Sequence, residues 1–299
     1  MTFHDRPIGI FDSGVGGLTV LRALRERLPA ERLLYLGDTA RLPYGTKSPE
    51  TIARYAVQAA GLLVERGIKL LVVACNTASA HALDALRDAY PQIEVTGVIE
   101  PGAEAACAAS ASGRIAVIAT ESTARAGAYQ HAIHRIMPEA DVTTQACSVF
   151  VALAEEGWLD GPVAEAAARR YLAPLFQDAP AGSKPDTLVL GCTHFPLLSP
   201  VLEAVVGPDV ALVDSARTTA DVVAVMLERA GVASRSEHAP AEIRLLATDA
   251  PDRFARVAAN FLPFPITPAM VELVDLGPVP VRTVNKAFED SPRRVGPSA

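Results

Sequence analysis

Two short strings constrain this chain more than anything else in it. Leu70-Leu-Val-Val-Ala-Cys-Asn-Thr-Ala and Thr187-Leu-Val-Leu-Gly-Cys-Thr-His-Phe each run from an apolar stretch through a small residue to a cysteine, then two polar residues and the start of a helix or turn. A second echo, at a similar offset, links Ile8-Gly-Ile-Phe-Asp-Ser with Ile115-Ala-Val-Ile-Ala-Thr. The echoes point to two related halves. Each has a polar residue at the mouth of its first strand and a cysteine, Cys75 or Cys192, at the mouth of a later one.

Around these strings, short β-rich runs alternate with longer Ala- and Leu-rich stretches as far as about residue 275. Ile8–Phe11, Leu33–Leu36, Leu70–Ala74, Val95–Ile99, Ile115–Ala119, Leu188–Leu190 and Val210–Val213 are predicted as strands. They are nearly continuous apolar runs, the pattern of parallel strands covered on both faces. Helices are predicted over Leu18–Arg27, Pro49–Arg66, Ala78–Ala89, Ala124–Ile136, Pro162–Phe176 and Thr218–Ala230. Strand followed by helix, repeated, gives an α/β fold with right-handed crossovers. Aromatic residues are only 5% of the chain, so the core must be built from Ala, Val, Leu and Ile.

The 299 residues suffice for two compact domains. A formal charge of −7 argues against a nucleic-acid partner, which would call for a basic stripe. It leaves room for a small anionic substrate held by local backbone N–H groups. The apolar runs are too short to span a bilayer and no leader opens the chain, so no membrane association is expected and the cytoplasm is the expected compartment. The four cysteines, at 75, 107, 147 and 192, contain no CxxC pair and are expected as free thiols.

Cys75 and Cys192 stand at the carboxyl ends of apolar strands, the edge where open α/β sheets bind ligands. A cysteine entering a helix N-terminus is also expected to have a lowered pKa. Cys107 and Cys147 lack that context and are expected to fill the core. Two thiols across one pocket suit proton abstraction beside a carboxylate: one removes the proton from one face, the other returns one to the opposite face. Asp12-Ser13 leads into Gly14-Val15-Gly16-Gly17, which has neither the GxGxxG spacing nor the Lys of a nucleotide loop. Its N–H groups could hold a carboxylate, while Asp12 is either a helix N-cap or a partner for an ammonium or thiol. Pro43-Tyr44-Gly45 is a candidate substrate loop. Asn76-Thr77 and Thr193-His194 follow the cysteines and offer donors, and His194 is placed to tune Cys192. The spacing alone does not single out Glu155.

Taken together, Ile8–Gly17, Tyr35–Ser48, Val72–Ser79, Gly97–Pro101, Leu190–Leu198 and Val213-Asp214-Ser215 resemble the glutamate racemase family of the aspartate/glutamate racemase superfamily. The resemblance implies conversion of L-glutamate to D-glutamate for peptidoglycan, with no cofactor, neither pyridoxal phosphate nor metal. It carries acid/base roles to Cys75 and Cys192, and supporting roles to Asp12, His194 and Glu155. Substrate contacts fall on Asp12, Ser13, Tyr44, Gly45, Asn76, Thr77, Thr123, Thr193 and His194. It also implies two facing Rossmann-like α/β domains with parallel-rich sheets and a pseudo-twofold relation, the active site lying in the cleft between them. The first would span residues 1–98 and 212–276, with the second, 99–211, inserted in it and 277–299 an extension. A homodimer is the implied assembly. This chain departs from the family at Ser148 and Ala152, where prolines are frequent.

Three other readings compete. The same thiols could racemise aspartate or another acidic amino acid, since one methylene discriminates only modestly. A metal or redox centre on Cys75, Cys192 and His194 would suffer from poor ligand spacing. A noncatalytic protein that closes on an amino acid is the remaining class.

Overall fold

A computed structural model of the chain describes residues 3–180, 182–235 and 240–277. Its strands are β1 (Ile8–Asp12), β2 (Leu33–Gly37), β3 (Leu70–Val73), β4 (Glu94–Gly97), β5 (Arg114–Ala119), β6 (Asp141–Ala146), β7 (Thr187–Gly191), β8 (Ala211–Asp214), β9 (Ile243–Ala247) and β10 (Val271–Leu273). They form a six-stranded sheet in the order β10-β9-β2-β1-β3-β4 and a four-stranded sheet in the order β6-β5-β7-β8. Every pairing is parallel. The expected α/β class with two parallel sheets is the observed one.

The internal echo has a topological counterpart. The run β2-β1-β3-β4 of the first sheet has the same order as β6-β5-β7-β8 in the second. The echoed strands β1 and β5 occupy matching central places, and β3 and β7, which lead into Cys75 and Cys192, lie beside them in the same sense.

Alternation of side chains across each strand divides the core into layers. In the first sheet Ile8, Ile10, Leu33, Tyr35, Leu70 and Val72 pack on one face, and Phe11, Leu34, Leu36, Leu71 and Val73 on the other. In the second, Ala116, Ile118, Leu188 and Leu190 face one way and Ile115, Val117 and Val189 the other. Both faces are covered by helices, which explains why these strands read as unbroken apolar runs.

Several boundaries differ from expectation. The predicted strand over Val95–Ile99 ends at Gly97, and Ile99–Ala109 is a helix with Pro101 in its first turn, where a missing N–H breaks no helical bond. The predicted helix over Ala124–Ile136 is two helices, Glu121–Ala126 and Ala128–Ile136, parted by Gly127 at φ 62°. Strand β8 pairs with β7, so the second sheet runs to Asp214 and the boundary placed before residue 212 falls inside a strand. Of the extension from 277 onward, all but Gly277 lies outside the described residues.

One ionic contact is buried beneath the first sheet. The Lys69 ammonium lies 2.6 Å from Glu31 and donates to the carbonyls of His4 and Val232 at 2.9 Å each. Neither side chain is more than 3% exposed. Removing one partner of such a pair strands a charge in low dielectric, whereas removing both does not. We expect Lys69→Met to lower unfolding stability by about 3–5 kcal/mol in urea titrations, and Lys69→Met with Glu31→Gln to recover part of that loss. A single variant as stable as the parent would show that this pair is not a structural anchor.

Candidate active site

The carboxyl edges of the two sheets supply the site. β1 ends in Asp12, and β3 runs through Ala74 to Cys75. In the other half β5 is followed by Thr120 and β7 by Cys192. Both cysteines, 6% and 7% exposed, line one cavity of about 350 Å³, at the small end of the range for ligand sites. Of the residues expected at a site, Ser13, Tyr44, Gly45, Asn76, Thr77, Glu155, Thr193 and His194 line it with them. Asp12 and Thr123 lie behind its wall: Asp12 is fully buried, and Thr123 meets the Thr77 hydroxyl at 3.0 Å.

Cys75 is the N-cap of the Asn76–Ala89 helix. Its sulfur accepts from the Ala78 N–H and meets the Ser13 hydroxyl, each at 3.5 Å. The lowered pKa expected from that position is not what the site produces. Burial, reinforced by the charge of Asp12, pushes the Cys75 thiol up to about 12, and the bonds from Ser13 and Ala78 only partly offset it. Desolvation outweighs a helix terminus when the thiol has no water. Ionisation of Cys192 raises it further, so the two thiols resist being anionic together.

The other thiol has different company. Cys192 Sγ lies 3.7 Å from His194 Nδ1, and His194 Nε2 lies 3.2 Å from Glu155 Oε1. Burial alone would depress the imidazole. The bonds to Cys192 and Glu155, with the charges of Cys192 and Asp12, override it and carry the pKa up to about 10. His194 is therefore an imidazolium over the ordinary pH range, and its ring stands edge-on to Phe261 with centroids 5.5 Å apart.

Asp12 does not cap the following helix, whose N-cap is Gly17. Its Oδ2 accepts from the Gly14 N–H at 2.8 Å, and Oδ1 has no hydrogen-bond partner among the described residues. Burial raises its pKa, against the pull of the His194 charge and the Gly14 and Gly17 N–H groups. The Gly14–Gly17 turn packs closely on the other half: a Cβ on Gly16 would lie 2.3 Å from Thr193 Oγ1 and 2.5 Å from His194 Nδ1.

Beside apolar Leu42, Pro43, Val151 and Ala152, the remaining wall carries neutral polar groups. Asn76 Oδ1 accepts from the Tyr129 hydroxyl at 2.7 Å, while its buried Nδ2 has no partner among the described residues. The hydroxyls of Thr77, Thr120 and Thr123 form a triangle with sides of 3.0 to 3.1 Å. Tyr44 is buried with its hydroxyl on Asp38, so the phenol is committed to holding its own loop. Asp38 also binds Arg41 at 2.7 Å and Thr248 at 3.0 Å, making it the scaffold of that loop.

Sequence reasoning missed Leu42, Thr46, Thr120, Val151 and Arg253 in the lining. Thr120 was signalled by the echo of Ile8–Ser13, which puts a polar residue at the mouth of β5. Arg253 had no signal, because only the fold brings it to Glu155. Ser148 and Ala152 also face the cavity. Cys107 and Cys147 sit in the apolar layers of the second half, as expected. Among the described residues no group of three or more His, Cys, Asp and Glu side chains is arranged to hold a metal ion, and no helix is long and apolar enough to cross a membrane.

Residues 8–223 match the Asp/Glu/Hydantoin racemase family. The glutamate racemase of Geobacter metallireducens is 54% identical over 257 residues, covering 86% of this chain and 93% of the relative. The glutamate racemase of Francisella tularensis, solved with D-glutamate, superposes with a TM-score of 0.83 at 34% identity, covering 91% of this chain and 98% of that one. That of Thermus thermophilus, solved with β-chloro-D-alanine, gives 0.79 at 41% identity with the same coverage. With the order of its strands, the pair of strand-end thiols and these likenesses in agreement, the chain belongs to the Asp/Glu/Hydantoin racemase family, and within it to the glutamate racemases, which are isomerases.

Proposed function

We propose that this chain interconverts L- and D-glutamate by a two-thiol exchange of the α-proton, with Cys75 and Cys192 on opposite faces of the substrate carbon. The observation that carries the reading is the placement of two cysteines, from topologically matching strands of different halves, on one small buried cavity. One sulfur, as thiolate, takes the α-proton and leaves a planar carbanion whose charge spreads onto the carboxylate. The other, as thiol, delivers its own proton to the opposite face. The protein then differs from its starting state only in which sulfur holds the proton.

The electrostatics suit that division. Because a charge on Cys192 raises Cys75, the pair resists carrying two thiolates at once, as an exchange that leaves one sulfur protonated requires. Asp12 is the group placed to assist Cys75, and the His194 imidazolium, braced by Glu155, the one placed to assist Cys192. Substrate carboxylates would be held by the unpartnered Asn76 amide, the Thr77, Thr120 and Thr193 hydroxyls, Ser13, and the backbone about Gly45, with Thr123 bracing Thr77 from behind. Relatives named for glutamate at up to 54% identity favour it over aspartate. In the cell we propose that the product supplies peptidoglycan, that the enzyme works in the cytoplasm without a cofactor, and that it pairs as a homodimer. Its two functional halves would be the first sheet and the second, inserted one.

Incubated in D2O with either enantiomer of glutamate and no added cofactor, the protein is expected to incorporate deuterium at Cα as it inverts it. Cys75→Ala and Cys192→Ala should each lose most of the interconversion. Full racemisation by the Cys192→Ala protein would exclude that sulfur. Inversion without solvent deuterium would exclude proton exchange altogether.

Titration of His194 offers a separate check. Its folded pKa lies above the unfolded value of 6.5, so its contribution to stability is complete below that value and is lost as pH rises through about 10. Imidazole NMR shifts should report a midpoint near 10 in the wild type and a lower one in Cys192→Ala, where the sulfur partner is gone. A His194 midpoint near 6.5 in the intact protein would remove the cation from the Cys192 side.

A further inference from the structure

The two thiols sit in matching places but are served differently, and the difference extends beyond His194. Glu155 divides its carboxylate: Oε1 faces His194 Nε2 at 3.2 Å, and Oε2 accepts from Arg253 at 2.7 Å. Arg253 belongs to the Pro251–Ala258 helix that follows β9 of the first sheet, whereas Glu155 and His194 belong to the other half. The contact therefore crosses the cleft. A neighbouring residue makes the same crossing: the Asn260 amide reaches the carbonyls of Ala154 and Glu155, at 3.3 Å each, at the end of the Val149–Glu156 helix.

We propose that Arg253 is a positioning residue for the Cys192 side of the reaction: by holding Glu155 Oε2 from the opposite half, it keeps Glu155 ionised and aimed at His194 and so sets the acidic limit of activity. This rests on the functional reading above. Among the described residues no counterpart appears on the Cys75 side, where Ser13, the Ala78 N–H and the buried Asp12 are the groups at hand.

Surface ion pairs usually contribute little to stability, and Arg253 is 44% exposed. Its partner is only 11% exposed, so the guanidinium acts on a carboxylate that water hardly reaches. The charged and titratable groups facing Glu155 are His194 from the loop after β7, Arg253 from its helix, and Asp12 from the end of β1. Burial would raise the carboxyl. The bonds and charges of His194 and Arg253 outweigh it and hold Glu155 below the ordinary value. Taking the guanidinium away must let the carboxyl rise, and a protonated Glu155 no longer supports the imidazolium.

The test compares kcat/KM against pH for the wild type, Arg253→Gln and Arg253→Lys, in both directions. In the Gln variant the acidic limb should move up by about one pH unit, with the loss steepest at acidic pH, and Lys should restore it. The factor must be the same in both directions, since enantiomers have equal free energy and the ratio of the two kcat/KM values stays at unity. The Glu155 carboxylate, followed by 13C NMR, should titrate higher in the Gln variant. A limb that does not move, or a parallel loss at every pH, would give Arg253 a structural role at most and overturn the proposal. A wild type inert toward glutamate would sink the functional reading and this assignment with it, whereas an active wild type with an unmoved limb sinks only this one.

Discussion

The site depends on how closely glycine backbone of one half approaches side chains of the other across the cleft. At Gly16 a single added carbon would collide with Thr193 and His194. At Gly45 it would lie 2.9 Å from Thr120 Cβ. Any other residue would force those side chains to shift at the two places where the first sheet's loops meet the second sheet's strand ends. That contact has an electrostatic consequence. The charge of a fully buried Asp12 reaches His194, which helps keep the imidazole protonated despite its burial. Steric closure and the charge state of the site are thus one constraint.

Much of the fold was legible because parallel strands buried on both faces must be apolar throughout. β1, β2, β3, β5 and β7 announce themselves in this way, as do the cysteines that end two of them. β6 was not legible. It is an edge strand with the sequence Asp141-Val-Thr-Thr-Gln-Ala, and only one of its sides meets a partner strand. β10 is three residues long and carries no pattern of its own. At the site, residues adjacent in sequence to the cysteines could be found, because a strand end fixes where the next two side chains stand. Arg253 and Asp38 could not. Their roles arise from a helix and a loop that tertiary packing alone brings to Glu155 and Tyr44. The thiol pKa was misjudged for a related reason: a helix N-terminus is visible in sequence, but desolvation is a property of the assembled pocket.

Glutamate, the proposed substrate, has two carboxylates, and the protein is acidic, yet the cavity presents few cations. His194 and Arg253 are both already engaged with Glu155. On the proposed reading, recognition would rest on neutral donors, of which the Asn76 amide and the threonine hydroxyls are the ready examples. Neutral donors suit a carbon acid. Hydrogen bonds from neutral donors tighten as charge moves onto the carboxylate and so favour the transition state.

A reaction between mirror images imposes no difference between its two acid/base groups, and the duplicated strand order could have supplied identical ones. It did not. One thiol is backed by a carboxylate with an unpartnered oxygen, the other by an imidazolium tied to Glu155. Two identical sites sharing one proton would have no preferred starting state, and each turnover would begin from whichever form remained. An anion beside Cys75 and a cation beside Cys192 bias the resting pair without altering the equilibrium between products, because the protein's own energies cancel over a closed cycle. The fold is symmetric where it positions the thiols and asymmetric where it sets their charge, and only the second can be varied without moving the substrate carbon.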